Sequence, residues 1–398
     1  MKKICFITQG VLPVPTVRGG AVETLVEYII DNNEKKKDFD IDVYTVYDEN
    51  AKKLERKYSN TSFIHINPAS EKMNKILFFV YRVFKNVFKA NIPYSIESWR
   101  MLKEFRKKAK SYDYVIYEAG PTTQIPLIAK IVSAKKIFVH IHWDGFWEGA
   151  KLAKIDESFE YLIPVSNYIG KGWMDKTGRS ENKVRVLKNC ASVEKFAKHI
   201  SDEEKDILRN SLGIDKCEKV LIFTGRIVEE KGVKELIQAY ENINTENVCL
   251  LIVGSANFGN KTNSPYEQAV AELINSSNKH IVFTGFIHQS ELYKYYDIAD
   301  LAIMPSQFQD PAPLVSIETQ ATGTPLIAMR VGGIPEYVTN ESAILIDKDD
   351  NQVVQLSKAI DNLINDNEKL KSMSQAGIEQ AKKFTTEKYY EDFLQILQ

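Results

Sequence analysis

The sequence predicts an α/β protein made of two doubly wound parallel domains, and three observations carry that prediction. Short apolar runs bounded by turn residues recur through the first half of the chain, with helical stretches between most of them. The alternation restarts after a polar, helical link. The chain has 398 residues, of which 44% are hydrophobic, enough for two large cores.

The first set of predicted strands is Ile4–Thr8, Ile41–Val46, Phe63–Ile66, Tyr114–Tyr117, Ile137–His142 and Leu162–Val165, with Val184–Leu187 as its last member. The first strand runs into a loop through Gln9-Gly10 and Pro13 to Gly19-Gly20. Val22, Leu25, Val26, Ile29 and Ile30 then follow helical spacing. No G-x-G-x-x-G is present, so this opening is not the dinucleotide fingerprint. Gly19-Gly20 at a helix start would still let a phosphate approach the backbone closely; a plain turn is the alternative. A polar link with helical character crosses Ser201–Ser211. The second set is Val220–Thr224, Cys249–Val253, Ile281–Thr284, Leu301–Met304, Pro325–Ala328 and Ala343–Ile346. The expected domains are residues 1–195 and 196–380. The helix in 381–398 carries Tyr389, Tyr390 and Phe393 and needs a surface to pack on, which the first domain would supply.

Net charge is −1, so nothing draws the whole chain toward nucleic acid. Cys5, Cys190, Cys217 and Cys249 are widely spaced, with no paired spacing for metal or redox work, and are expected reduced. The apolar run at the N-terminus is too short for a secretion signal, and no stretch reaches membrane-spanning length; a cytoplasmic location is the expectation. One segment departs from the even charge. Between Lys72 and Lys110 stand eleven Lys and Arg; counted against Glu71, Glu97 and Glu104, the balance is +8. Ile76, Phe79, Val80, Val83, Phe84, Val87 and Phe88 share one helical face, with Lys75, Arg82, Lys85 and Lys89 off it. A basic amphipathic helix of this kind suits an anionic membrane surface. A helix packed on a sheet with a solvated basic back would show the same pattern.

The chemistry concentrates in Met304–Pro325. Pro305, Pro311 and Pro313 forbid helix before about Leu314, and Gly323 with Pro325 closes the far end. Asp310 therefore sits in a loop after a strand, and Glu318 on the first turns of the following helix. Open α/β sheets place ligand chemistry at such strand ends, and N–H groups at a helix start favour an anion. Earlier, Gly225-Arg226-Ile-Val-Glu-Glu-Lys231-Gly232 follows a strand and opens a helix, and its two cations are close enough to serve one anion. Val253-Gly254-Ser255 and Val331-Gly332-Gly333-Ile-Pro335-Glu336 add glycine turns after two further strands.

Together these stretches closely resemble glycosyltransferase family 4, retaining sugar-nucleotide transferases of GT-B fold. The resemblance covers nearly the whole chain and is strongest over 220–340. It implies two Rossmann-like domains facing across a cleft, the C-terminal one holding the nucleotide sugar, a UDP-sugar by expectation. The N-terminal one would hold a glycan or lipid-linked acceptor for cell-surface polysaccharide synthesis. Arg226 and Lys231 match the family's diphosphate-binding pair, Glu318 the ribose-binding glutamate, and Asp310 the first glutamate of that motif, facing the donor sugar. Leu314 and Val315 open the same helix beside the donor, and Gly254 belongs to the same donor-binding set. Gly19-Gly20 match the N-domain loop facing the diphosphate. Phe286 and Ile287 lie where the base-binding loop runs. His142, in His140-Ile-His142-Trp-Asp144, stands where many members carry a histidine near the reacting sugar; a structural histidine is the alternative.

Three departures are visible. Asp310 is one methylene shorter than the usual glutamate, Pro313 replaces a common glycine, and Asn189-Cys190-Ala191-Ser192 replaces asparagine-glycine-apolar-aspartate. Because fixed cations and helix-start N–H groups can stabilise charge on a leaving diphosphate, no metal or other cofactor is expected. Two rival readings share the architecture: a non-hydrolysing sugar-nucleotide epimerase, which would change the donor with no acceptor present, and a non-catalytic two-domain ligand-binding protein.

Overall fold

The computed structural model describes residues 1–8, 12–86, 93, 95–118, 122–143, 145, 152–255 and 264–398. Gln9, Gly10, Val87, Phe88, Lys89 and Asp144, which the sequence reading drew on, lie outside the described residues. The chain divides into two compact units, one of residues 1–188 with 389–398, the other of residues 189–388.

The first unit is built on a six-stranded sheet of β1 (Lys2–Ile7), β2 (Phe39–Val46), β3 (Thr61–Ile66), β4 (Tyr114–Glu118), β5 (Ile137–Ile141) and β6 (Tyr161–Pro164). The order is β3-β2-β1-β4-β5-β6, and every pairing is parallel. The second unit repeats the plan with β7 (Lys219–Thr224), β8 (Val248–Val253), β9 (Ile281–Gly285), β10 (Leu301–Met304), β11 (Leu326–Met329) and β12 (Ala343–Ile346). Its order is β12-β11-β10-β7-β8-β9, again all parallel. These strands read as nearly continuous apolar runs because helices cover both faces of a parallel sheet. Val248–Val253, for example, is buried at every position. In each sheet the chain reverses its direction of travel once, between β1 and β4 and between β7 and β10. Loops at the C-terminal ends of those strands diverge there, which is where such sheets bind ligands.

Val184–Leu187 is not a strand. Val184 makes a single bridge to Leu162, Arg185 N–H donates to Leu162 O and Leu187 N–H to Pro164 O. The preceding 3-10 turn, Glu181–Lys183, delivers the chain to the edge of β6. It then pairs too briefly to form a ladder.

The link expected across Ser201–Ser211 is a helix over Asp202–Ser211. Ser201 accepts from Glu204 N–H while the Glu204 carboxylate accepts from Ser201 N–H, so the first turn's free donors are satisfied reciprocally.

The basic segment forms two helices, Glu71–Asn86 and Ile96–Lys108. The second buries Met101, Leu102 and Phe105. The first leaves Met73, Ile76, Phe79 and Val83 exposed, Ile76 by 59% and Phe79 by 68%, while Tyr81 turns inward. No helix among the described residues is long and apolar enough to cross a membrane.

The cysteines correct the sequence reading. Cys217, two residues before β7, and Cys249, second in β8, form a disulfide. Their separation of 32 residues hides that parallel pairing sets Val220 opposite Cys249, which brings the two thiols to one corner of the sheet. Cys5 and Cys190 are free and buried.

The last helix, Thr386–Ile396, presents Tyr389, Tyr390, Phe393 and Ile396 as a buried face, the four-residue recurrence of an amphipathic helix. From Tyr389 on it belongs to the first unit. Phe393 packs its ring 5.8 Å from that of Phe6 on β1, and the Tyr390 hydroxyl reaches Asn33 Oδ1 at 3.0 Å and Asp38 Oδ2 at 2.9 Å. Phe393→Ala should cost about 3–5 kcal/mol, the range for emptying a buried aromatic site. Urea denaturation would measure it; a cost near zero would mean that the helix does not complete this core.

Candidate active site

In the second unit the predicted donor-binding residues lie just beyond the C-terminal ends of the strands, with Lys231 and Asp310 in the loops after β7 and β10. Lys231 ends a 3-10 turn, Glu229–Lys231, just before the helix Val233–Glu241. Its Nζ lies 2.6 Å from Asp310 Oδ2 and 4.9 Å from the centre of the Phe308 ring. Gln307 N–H donates to Glu230 O at 2.7 Å, so the loops after β7 and β10 are tied through backbone as well. The sequence assigned Lys231 to a diphosphate and Asp310 to a sugar; the structure joins them in one ion pair. Arg226 is exposed, and among the described residues its guanidinium has no carboxylate partner.

Asp310 is buried and its loop is held from three sides. Gly333 N–H donates to Asp310 O at 2.8 Å, and Gly332 N–H to Gln309 Oε1 at 2.6 Å. Asn189 donates its side-chain amide to Ala312 O at 3.0 Å and its own N–H to the Tyr337 hydroxyl at 2.9 Å. Asn189 thus fixes the segment that carries Pro313.

Pro313 takes an extended conformation and the helix Leu314–Ala321 begins directly after it, leaving Leu314 and Val315 half-buried in its first turn. One turn on, Glu318 is buried at 5% exposure and accepts from Gln289 Nε2 at 3.0 Å. Burial pushes its carboxyl up to about 7, and the Gln289 hydrogen bond only partly opposes this.

Gly254 allows the strand ends here to close up. Its φ is 148°, and a Cβ would lie 1.8 Å from Gly225 O. Gly225 N–H donates to Val253 O and Gly254 N–H to Gly285 O, each at 3.0 Å, so the ends of β7, β8 and β9 are laced together. Just beyond β9, Phe286 is 46% exposed, whereas Ile287 packs on the core.

In the first unit, Gly19 and Gly20 precede the helix Ala21–Lys36. Gly19 is exposed. Gly20 has φ 113°, and a Cβ there would stand 2.4 Å from Glu23 Oε2 and 2.7 Å from Leu12 Cδ1. A larger residue there would be strained by this φ and would have to displace the ends of both side chains. Glu23 is buried, and burial, then the charge of Glu118, raises its carboxyl to about 7.

Glu118, at the end of β4, receives two histidines on one oxygen. His140 Nδ1 lies 3.0 Å and His142 Nε2 2.9 Å from Glu118 Oε2. Burial would raise the Glu118 carboxyl, but the two histidines overcome it and hold it at about 2. Burial, then the neighbouring His140, lowers His142 to about 4 against the pull of Glu118. His142 is therefore neutral at pH 7. Its contact with a carboxylate assigns the proton to Nε2 and leaves Nδ1 a lone-pair acceptor.

Sequence reasoning missed Glu23, Glu118, His140, Gln289 and the anchoring role of Asn189. Glu118 carried a signal close to the one used for Asp310, a carboxylate beyond the end of a predicted strand. Gln289 carried none, since its partner is 29 residues away.

Residues 204–380 match the family model of glycosyl transferases group 1. The spore coat protein SA of Bacillus subtilis is 22% identical over 376 residues, covering 92% of this chain and 91% of that one. The D-inositol 3-phosphate glycosyltransferase of Corynebacterium glutamicum is 32% identical over 209 residues, 51% of this chain and 49% of the relative. Among solved structures, Anabaena HepE in complex with UDP and glucose superposes with a TM-score of 0.74 at 18% identity, over 100% of this chain and 99% of that one. The fold of two Rossmann-like units is thus the GT-B architecture.

The raised Glu318 carboxyl makes stability depend on pH. A folded-state value near 7, above the ordinary 4.5, contributes stability that is complete below the unfolded value and lost as pH rises through 7. Glu318→Gln should remove that contribution. Its urea midpoint should fall less than wild type's between pH 5 and pH 8, with Glu23 left to give a residual slope of the same sign. Parallel pH profiles for the two proteins would refute the assignment.

Proposed function

We propose that this chain, whose residues 204–380 match the model of glycosyl transferases group 1, is a glycosyltransferase that transfers a sugar, with retention, from a UDP-sugar to a glycan or lipid-linked acceptor. One observation carries this reading: Lys231 and Asp310 pair at the strand reversal of the second sheet, with Glu318 on the helix that follows Asp310 and Arg226 exposed on the same loop as Lys231. Breaking the bond between the sugar and the diphosphate develops charge on the leaving group. Lys231, held by Asp310, and the exposed Arg226 are the cations for it, and the N–H groups of Leu314 and Val315 add a helix start. With two cations there, the diphosphate needs no divalent ion. Glu318 would accept from the ribose hydroxyls, and Asp310 would face the sugar. HepE is described with UDP and UDP-glucose, which supports a uridine donor.

In the first unit, a neutral His142 with its lone pair on Nδ1 suits a hydrogen bond from a sugar hydroxyl. The leaving phosphate would take the acceptor's proton. The helix Glu71–Asn86 would lie on an anionic membrane: Ile76, Phe79 and Val83 are exposed, and Lys72, Lys75 and Arg82 supply cations. That would bring the enzyme to a lipid-linked acceptor at the cytoplasmic face.

The two carboxylates separate in kinetics. Contacts stronger in the transition state than in the ground state show in turnover rather than affinity. Asp310→Asn should lower kcat with UDP affinity kept, whereas Glu318→Gln should weaken UDP binding. Lys231→Ala should lower turnover roughly a hundredfold, as loss of a preorganised charge contact does. Calorimetry with UDP beside steady-state kinetics reads all three. An Asp310→Asn enzyme with full kcat and lost UDP affinity would overturn the assignment, and isomerisation of the donor without acceptor would favour the epimerase reading.

Vesicle co-sedimentation tests the helix. Binding should require anionic lipid, weaken in high salt, and fall at least severalfold in a Lys72→Glu/Lys75→Glu variant, since each basic residue near such a surface is worth about 1 kcal/mol. Equal binding to neutral vesicles would sink the electrostatic part.

A further inference from the structure

Cys217, Cys249 and His280 lie at the N-terminal end of the second sheet, the end opposite the loops that carry Lys231, Asp310 and Glu318. Cys217 precedes β7, Cys249 is the second residue of β8, and His280 immediately precedes β9. His280 Nδ1 is 3.2 Å from Cys249 Sγ and 3.5 Å from Cys217 Sγ, and the three donor atoms all lie within 4.8 Å of one another. Zinc binds sulfur at about 2.3 Å and imidazole nitrogen at about 2.05 Å, so a tetrahedral centre would set sulfur and nitrogen roughly 3.5 Å apart. Both observed separations agree with that spacing.

The histidine is held in place by backbone. Leu250 N–H donates to His280 O at 3.0 Å, and the Tyr240 hydroxyl reaches Val248 O at 2.6 Å and His280 O at 3.1 Å. Cys217 and His280 also line a cavity of about 470 Å³, shared with Lys216, Tyr240, Thr245 and Lys279. The two sulfurs are nearly inaccessible to solvent, and the imidazole is exposed. Buried thiolates without a counter-charge are unfavourable, and a divalent ion supplies one.

We propose that, once the Cys217–Cys249 disulfide is reduced, these three residues form a zinc site whose fourth position opens to the cavity and is filled by water. A dithiol reductant cleaves the disulfide: two electrons and two protons pass to the cysteines, and the reductant leaves as its own disulfide. Zn²⁺ then binds the two sulfurs and His280 Nδ1, and both thiol protons are released. The disulfide and the metal exclude one another, so the corner where β7, β8 and β9 begin is fastened in either redox state, by a covalent bond or by the ion.

Cobalt is the probe. Full-length protein is reduced by a dithiol, freed of reductant without air, and checked by a count of four thiols per chain in denaturant, against two before reduction. Co²⁺ titration should give a thiolate-to-metal charge-transfer band that saturates at one equivalent and disappears on adding Zn²⁺. Oxidised protein should give no such band. Cys249→Ser should abolish it, and His280→Ala, which changes an exposed side chain, should weaken Co²⁺ binding at least tenfold. Zn²⁺ should raise the Tm of reduced wild type and leave that of oxidised protein unchanged. No band in folded, fully reduced wild type would overturn the proposal, as would His280→Ala with unchanged affinity. If the reduced chain unfolds without metal, recovery of the folded state on adding Zn²⁺ supports the site and failure to recover overturns it.

Discussion

The connections after β7 and after β10 leave neighbouring parallel strands toward opposite sides, and the gap between them has to be closed by loop rather than by helix. A loop in that position cannot satisfy itself with a helical ladder, so its polar groups find partners across the gap. Lys231 and Asp310 are those partners, joined at 2.6 Å. Gly254, Gly332 and Gly333 bring the surrounding backbone close enough to hold them. The charged groups are therefore set by strand order. A cation that rests on a buried carboxylate has its direction fixed by the fold itself.

The first sheet answers the same constraint differently. Its gap lies between β1 and β4, and the groups that collect there are Glu23, Glu118, His140 and His142. One carboxylate oxygen serves two imidazoles, which keeps Glu118 ionised and His142 neutral at the same pH. Gly20 belongs to this arrangement because its missing side chain is the room that Glu23 occupies.

Much of this was legible from the residues. Pro313 must precede the helix, and the helix starts at Leu314. Apolar runs placed all twelve strands to within two residues at each end, because a strand covered on both faces is apolar throughout. The excess was Val184–Leu187, whose composition suits a strand but whose neighbour gives it one bridge. Contacts set by pairing register were not legible. The Lys231–Asp310 contact spans 79 residues, and nothing in either local stretch names the other. Cys217 and Cys249 read as unrelated for the same reason. Glu118 lay just past the predicted end of its strand and was passed over, although its position was the informative one.

The terminal helix has a consequence for how the chain is made. The first unit takes residues 1–188 from ahead of the second unit and its closing stretch, residues 389–398, from about two hundred residues later. Phe6 and Asn33 leave the ribosome long before Phe393 and Tyr390 exist to cover them. The second unit is continuous in sequence and can complete its core first. During synthesis the first sheet therefore waits with part of its apolar face uncovered, a period in which premature release or a slow codon cluster near the end would expose it to aggregation and chaperone capture.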